Sequence, residues 1–165
     1  MQVTAANREY LRSILFGVED SLVSTTAFIA GVSIGSLNTK FIVMATVVAI
    51  FIEGVSMGVG EYLSDDAVEE LDKFKRHRDN PLLSGLALCT SYLLAGMIPL
   101  FPILFFTFPQ SLFISISLAL LGLFFLGYFK GKLLKVSAVR GGIKILIVGG
   151  ITTVLGVIIG FLFKF

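Results

Sequence analysis

Residues 80–129 read NPLLSGLALCTSYLLAGMIPLFPILFFTFPQSLFISISLALLGLFFLGYF and contain no charged side chain. A helix that crosses the hydrocarbon of a bilayer needs about 20 mostly apolar residues, so this run is too long for one crossing. It breaks at the polar-flanked turn Thr107–Gln110, where Pro109 cannot continue a helix. The run therefore predicts two membrane helices, at about 82–106 and 111–129.

Three prolines and an asparagine mark the ends of the first of these two helices. Asn80 and Pro81 are typical of an N-cap and of a first helical turn. Pro99 and Pro102 lie near the other end, and we expect them to kink or unwind the helix there.

The rest of the chain has the same membrane character. Of its 165 residues, 56% are hydrophobic and only 15% are charged, and the mean hydropathy is +0.95. A soluble domain carries roughly 25% charged residues. Apolar stretches at about 13–36, 41–63 and 145–163 predict three more spanning helices. We therefore expect an all-α integral membrane protein with five transmembrane helices, one domain over residues 1–165, and cytoplasmic loops at 64–80 and 130–144.

The basic residues predict the orientation of the helices, because cytoplasmic segments of membrane proteins are enriched in lysine and arginine. With the N-terminus inside, only Lys40 and Lys164 lie in outer segments. The inner segments hold all the others: Arg8, Arg12, Lys73, Lys75, Arg76, Arg78, Lys130, Lys132, Lys135, Arg140 and Lys144. The N-terminus is therefore predicted to be cytoplasmic and the C-terminus to lie outside or in a lumen.

Four carboxylates fall inside the first two predicted helices: Glu19, Asp20, Glu53 and Glu61. A charged side chain within the membrane costs roughly 3 kcal/mol or more and indicates a functional site. Asp20 and Glu53 lie deepest in their helices. Glu19 and Glu61 have a second interpretation, because side chains close to the headgroups can reach water.

The spacing of these residues predicts a metal site. Asp20 and Met57 each lie about 12 Å from the cytoplasmic end of their helix, so they can share one level. Glu53, Met57 and Glu61 follow one another every fourth residue, along one helix face. Carboxylates with a thioether suit a divalent transition ion better than Mg²⁺ or Ca²⁺, although Met57 can also be an ordinary packing residue. The candidate metal ligands are Asp20, Glu53, Met57 and Glu61.

Four motifs of the chain are similar to those of the vacuolar iron transporter family. The first helix reads Gly17-Val-Glu-Asp20-Ser-Leu-Val-Ser-Thr25, which resembles the family's G-x-x-D-G-L-V-S-T. The second reads Ser56-Met-Gly-Val-Gly-Glu61-Tyr-Leu-Ser64, which resembles S-M-x-x-G-E-Y-L-S. The prolines of the third helix and the glycines of the fifth also resemble the family's pattern.

The resemblance implies five helices, a homodimer with the ion path between its subunits, and export of Fe²⁺ or Mn²⁺ from the cytoplasm by proton antiport. It assigns Asp20 and Met57 to that path. The ions are transported substrates, and no cofactor is expected. The expected membrane is the plasma membrane of a prokaryote or a vacuole-like organelle membrane of a eukaryote.

The chain departs from the family at three places. Ser21 replaces the glycine that follows the aspartate, and Ala49 stands where some members carry a membrane carboxylate. Glu53, one turn before Met57, is our candidate to replace that carboxylate. Fuller members also have a long acidic cytoplasmic domain between the second and third helices, where this chain has only Ser64 to Asn80.

Other functional classes have less support in the sequence. A non-transporting membrane scaffold or regulatory subunit is the alternative, but serine and threonine would suffice to bind its helices together. An enzyme is not expected, since the chain offers no paired nucleophile and base, no phosphate loop and no histidine cluster. Nucleic-acid binding is not expected either, because the basic residues are juxtamembrane.

Overall fold

The computed structural model describes residues 5–36, 38–71, 80–133 and 135–164. These residues form five α-helices: α1 (Ala5–Gly35), α2 (Thr39–Leu71), α3 (Pro81–Phe105), α4 (Gln110–Leu133) and α5 (Ala138–Leu162). Each contains a stretch long and apolar enough to cross a membrane. The predicted all-α, multi-pass membrane protein with five spanning helices is confirmed.

The helices extend beyond their predicted apolar stretches. Helix α2 continues to Leu71 and α5 begins at Ala138, so parts of the segments predicted as loops, 64–80 and 130–144, are helical. Helix α1 likewise begins before Ser13. Hydropathy marks only the part of a helix that faces lipid, whereas backbone hydrogen bonding continues past the headgroups. Residues 72–79 of the first loop lie outside the described residues.

The predicted N-cap of α3 is present. Of the two effects predicted for its prolines, unwinding is wrong, and a kink stays a prediction. The Asn80 side chain accepts a hydrogen bond from the Leu82 N–H at 3.0 Å, and Pro81 begins the helix. The helix continues through Pro99 and Pro102 to Phe105. Ser115 Oγ of α4 donates to the Pro99 carbonyl at 2.6 Å. This bond fastens α4 to the proline-containing part of α3.

Helix α1 is the centre of the bundle, because it packs against each of the other four helices. Its contact with α5 is made by glycines, and a Cβ on Gly31 would lie 2.9 Å from the Gly156 carbonyl oxygen. Helices α2 and α3 approach equally closely, since a Cβ on Gly58 would lie 2.8 Å from the Gly85 carbonyl oxygen. These small residues bring the helix backbones into direct contact, as small-x3-small patterns do in membranes.

Helix α2 lies at the edge of the bundle. Among the described residues it packs against α1 and α3 alone. Its outer face carries Ser56 and Gly60, both exposed, and a Cβ on Gly60 would meet no atom within 4 Å. The end of the bundle that contains Arg12, Glu61 and Lys130 is called the basic end below.

Candidate functional site

Asp20 and Glu53 lie near each other between α1 and α2, about midway along both helices. Both side chains are half-buried. Ser24 follows Asp20 by one helical turn, and its Oγ lies 3.3 Å from Oε2 of Glu53. This contact joins the Glu53 carboxylate to the turn of α1 that begins at Asp20. The structure therefore brings together the two acidic residues that the sequence places deepest in the membrane.

Two hydroxyl groups bind the Glu53 carboxylate. The Tyr92 hydroxyl of α3 donates a hydrogen bond to Oε2 of Glu53. Ser24 of α1 binds the same oxygen, and its Oγ lies 2.7 Å from the Tyr92 hydroxyl. Sequence reasoning missed both residues. The signal for Ser24 was its place one turn after Asp20, and the signal for Tyr92 was a lone phenol in a helix without charged residues.

Tyr92 is held in place from several sides. Its side chain is 0% exposed. Ser21 Oγ, one residue after Asp20, donates to the Tyr92 backbone carbonyl at 2.7 Å. Gly17 lets α1 approach α3 closely, because a Cβ there would lie 2.7 Å from the Leu88 carbonyl oxygen. Three helices are thus joined at the level of Asp20.

Met57 lies one turn from Glu53 on the same side of α2, and its side chain is half-buried. The next residue, Gly58, packs directly against Gly85 and Cys89 of α3. Helical spacing places Met57 on the side of α2 that carries Glu53, and its role as a ligand beside Asp20 stays a prediction. Two carboxylates and a thioether form a donor set suited to a divalent transition ion.

Glu61 lies apart from this group, at the basic end. It is two turns from Glu53, about 12 Å along α2. Its Oε1 lies 3.0 Å from Arg12 Nη2 and accepts a hydrogen bond from Ser13 Oγ at 2.6 Å. A carboxylate held by arginine is not free to bind an ion without giving up that partner. The metal role predicted for Glu61 stays a prediction.

A cavity of about 640 Å³ opens at the basic end between α1, α2 and α4. Its walls are mainly apolar, and its charged groups are Arg8, Arg12, Lys130, Glu19 and Glu61. Lys130 Nζ lies 3.5 Å from Oε2 of Glu19. Glu19 directly precedes Asp20, so the cavity reaches the turn of α1 that carries the candidate site.

The described part of one chain supplies few grouped metal ligands. Within the ranges that the structure describes, no three histidine, cysteine, aspartate or glutamate side chains come together as a metal-binding group. Asp20 and Glu53 form a pair. A second set of ligands would have to come from water or from another subunit.

Comparison with known proteins gives a family match over most of the chain. A model of the VIT family matches residues 11–79 and 66–161. The chain is 21% identical to vacuolar iron transporter 1 of Tulipa gesneriana, in an alignment that covers 88% of this chain and 83% of the tulip protein. It is 22% identical to vacuolar iron transporter 1 of Oryza sativa subsp. japonica, over 75% of this chain and 73% of the rice protein.

The tulip alignment also shows a difference in length. The tulip alignment runs over 206 positions, more than the 165 residues of this chain, so the tulip protein has residues that this chain lacks. The two matched ranges of the family model overlap at residues 66–79, from the last turns of α2 to the residue before Asn80.

Proposed function

Because this chain belongs to the VIT family, we propose that it transports divalent transition-metal ions, Fe²⁺ or Mn²⁺, across a membrane. The observation that carries the proposal is the pair Asp20 and Glu53. Both are half-buried within spanning helices, and neither has a lysine or arginine partner among the described residues. A site of negative charge inside the membrane, left without a fixed cation, suits a mobile one.

The names of the relatives support this choice of ion. The tulip and rice proteins are both called vacuolar iron transporters. The donor set of this chain agrees, because carboxylates alone would suit Mg²⁺ or Ca²⁺, whereas the Met57 thioether favours softer ions.

The ion enters, in this proposal, from the basic end, which the charge bias assigns to the cytoplasm. The cavity at that end would admit the hydrated ion. Glu19 and Glu61 would attract it there, although each is paired with a cation in the present structure. The ion would then pass to Asp20, Glu53 and Met57, and leave on the opposite side.

Proton antiport follows from the chemistry of the carboxylates. In the proposed cycle, Asp20 and Glu53 hold protons when no metal is bound, because an isolated charge inside the membrane loses its hydration. An arriving divalent cation restores the charged carboxylates and expels the protons. When the site opens to the far side, protons return as the metal leaves.

A homodimer is the proposed active form. One chain supplies two carboxylates and a thioether, whereas two copies would double this set. The outer face of α2 next to Glu53 is not covered by another helix of the described chain, and it carries the small residues Ser56 and Gly60. Small residues on an exposed face let a second helix approach closely.

The test is a panel of ions in sealed vesicles that contain the purified protein. Uptake is followed for Fe²⁺, Mn²⁺, Co²⁺, Zn²⁺, Mg²⁺ and Ca²⁺, with empty vesicles as the baseline. We expect Fe²⁺ and Mn²⁺ to be moved in preference to Mg²⁺ and Ca²⁺. Uptake of none of these ions would contradict the proposal and favour the scaffold alternative.

A pair of methionine variants tests the origin of the selectivity. Met57→Leu keeps an apolar side chain of similar size but removes the sulfur, so discrimination against Mg²⁺ and Ca²⁺ should fall while some transport remains. Met44→Leu makes the same change at an exposed position of α2 and should leave selectivity unchanged. Equal selectivity in all three proteins would show that Met57 only packs.

A further inference from the structure

We propose that Tyr92 is a positioning residue of the ion site, whose buried hydroxyl fixes the Glu53 carboxylate beside Asp20. Glu53 thereby becomes the second carboxylate of the site, in a chain that has Ala49 one turn earlier. This inference rests on the proposed function, since it assigns a role within the same site. It concerns how the site is built.

Glu53 needs a partner to stay inside the bundle. It projects from α2, the edge helix, and its neighbours Ile52 and Ser56 are exposed. A glutamate side chain has several rotatable bonds, and fixing it costs conformational entropy. In the absence of a partner, this side chain is free to turn away from Asp20. The hydroxyls of Tyr92 and Ser24 hold it toward α1 and α3.

Tyr92 is rigid enough for this task. It belongs to α3, its side chain is fully buried, and its backbone carbonyl accepts the hydrogen bond from Ser21. Ser21 and Ser24 lie one residue and one turn after Asp20. The hydrogen bonds of Tyr92 therefore fix Glu53 relative to the very turn of α1 that carries Asp20.

A hydroxyl positions a carboxylate without neutralising it. Glu61 offers the contrast within the same helix, because Arg12 holds it with a positive charge that also repels a metal ion. Tyr92 is neutral, so the negative charge of Glu53 stays available to a cation. Both hydroxyls contact Oε2, and the described residues place no hydrogen-bond donor on Oε1. A carboxylate has about four lone-pair sites, so Oε1 can bind an ion while Oε2 is held.

A different explanation is that Glu53 merely satisfies a buried tyrosine hydroxyl. The two explanations differ in what Tyr92→Phe does to metal binding. If Tyr92 positions Glu53, loss of the hydroxyl weakens metal binding. If Glu53 only accepts a hydrogen bond from a buried hydroxyl, the loss changes stability and leaves metal affinity unchanged.

The experiment measures Mn²⁺ binding to the purified full chain by calorimetry, together with Mn²⁺ uptake in vesicles. Tyr92→Phe should raise Kd and KM about ten-fold, the size of one hydrogen bond to a charged group, with Vmax within about two-fold. Tyr128→Phe is the matched control, because Tyr128 is half-buried among the phenylalanines of α4 and donates no described hydrogen bond. It should bind Mn²⁺ like the unmutated chain. Unchanged binding in Tyr92→Phe, or an equal loss in both variants, would overturn the inference.

A double-mutant cycle locates the effect at Glu53. In a Glu53→Gln background, adding Tyr92→Phe should weaken binding by less than about two-fold, since coupled residues are not additive. Full additivity contradicts the inference.

Should Tyr92→Phe fail to fold, Ser24→Ala replaces it, because that hydroxyl bonds to both Tyr92 and Glu53. If the unmutated chain binds neither Mn²⁺ nor Fe²⁺, the proposed function itself is contradicted. If the unmutated chain binds Mn²⁺ and the Tyr92→Phe variant binds it equally well, only the role of Tyr92 is contradicted.

Discussion

Ser13 Oγ donates a hydrogen bond to Oε1 of Glu61 at 2.6 Å and so ties α2 to α1 at the basic end. Arg12 Nη2 lies 3.0 Å from the same oxygen. Ser13 is 1% exposed, and the Glu61 side chain is 15% exposed. This contact lies at the cavity of the basic end, between bulk solvent and the carboxylates farther along the bundle.

The first prediction concerns Glu61→Gln. The amide keeps a carbonyl oxygen for Ser13 but loses the ion pair with Arg12, whose side chain is 60% exposed. The free energy of unfolding should therefore fall by less than about 1 kcal/mol. Mn²⁺ uptake should show a KM raised a few-fold with Vmax kept, because Glu61 would act at the entrance. A folded Glu61→Gln protein without any transport would instead make Glu61 a ligand at the ion site.

The second prediction concerns the glycine contact between α1 and α5. A Cβ on Gly156 would overlap the Ala27 carbonyl oxygen, a backbone atom that cannot move aside easily. Gly156→Ala should cost about 1–3 kcal/mol through overpacking. Gly150→Ala on the same helix meets no atom within 4 Å and should change stability by less than about 0.5 kcal/mol. Thermal unfolding in detergent measures both, and equal melting temperatures would contradict the close α1–α5 packing.

The third prediction concerns the homodimer. Gly60 has open space around it within one chain, so Gly60→Phe should fold but block a second subunit that docks on α2. Gly150 is also open, but it lies on α5, and Gly150→Phe should leave the dimer intact. Mass measurement in mild detergent should give twice 17.9 kDa for the unmutated chain and the control. A monomeric unmutated chain would contradict the dimer.

Much of the fold could be predicted from the sequence, because membrane helices are marked by long apolar runs. The uncharged residues 80–129, the turn at Pro109 and the Asn80 cap all led to the correct elements. The helix ends could not be predicted, since α2 continues as a charged helix to Leu71. Hydropathy has no signal for such an extension.

The candidate site could be predicted only in part. Helical spacing placed Glu53 and Met57 on one side of α2, but it did not reveal which side chains face them from other helices. Tyr92 lies 39 positions from Glu53, and Arg12 lies 49 positions from Glu61. These contacts depend on the angle and rotation at which helices pack, and the spacing of residues within one helix does not reveal them.

The fourth prediction concerns orientation. Five spanning helices place the two termini on opposite sides, and the excess of basic residues assigns the N-terminus to the cytoplasm. In intact prokaryotic cells a tag at the N-terminus should be protected and a tag at the C-terminus should react from outside. In sealed organelles, whose outer surface is cytoplasmic, the N-terminal tag should react and the C-terminal tag should be protected. A C-terminal tag that reacts only from the cytoplasm would contradict the orientation and the direction of export.

The exchange of metal for protons at Asp20 is tested most directly by measuring both ions at once. Purified chain is sealed into vesicles with a pH-sensitive dye, and Mn²⁺ uptake is recorded together with proton movement. The unmutated protein should move protons opposite to Mn²⁺ and respond to an imposed pH gradient. Asp20→Asn, which keeps the size of the side chain but removes its charge, should stop both movements and leave the melting temperature nearly unchanged. Mn²⁺ uptake by Asp20→Asn at the unmutated rate, or uptake indifferent to the pH gradient, would contradict the account.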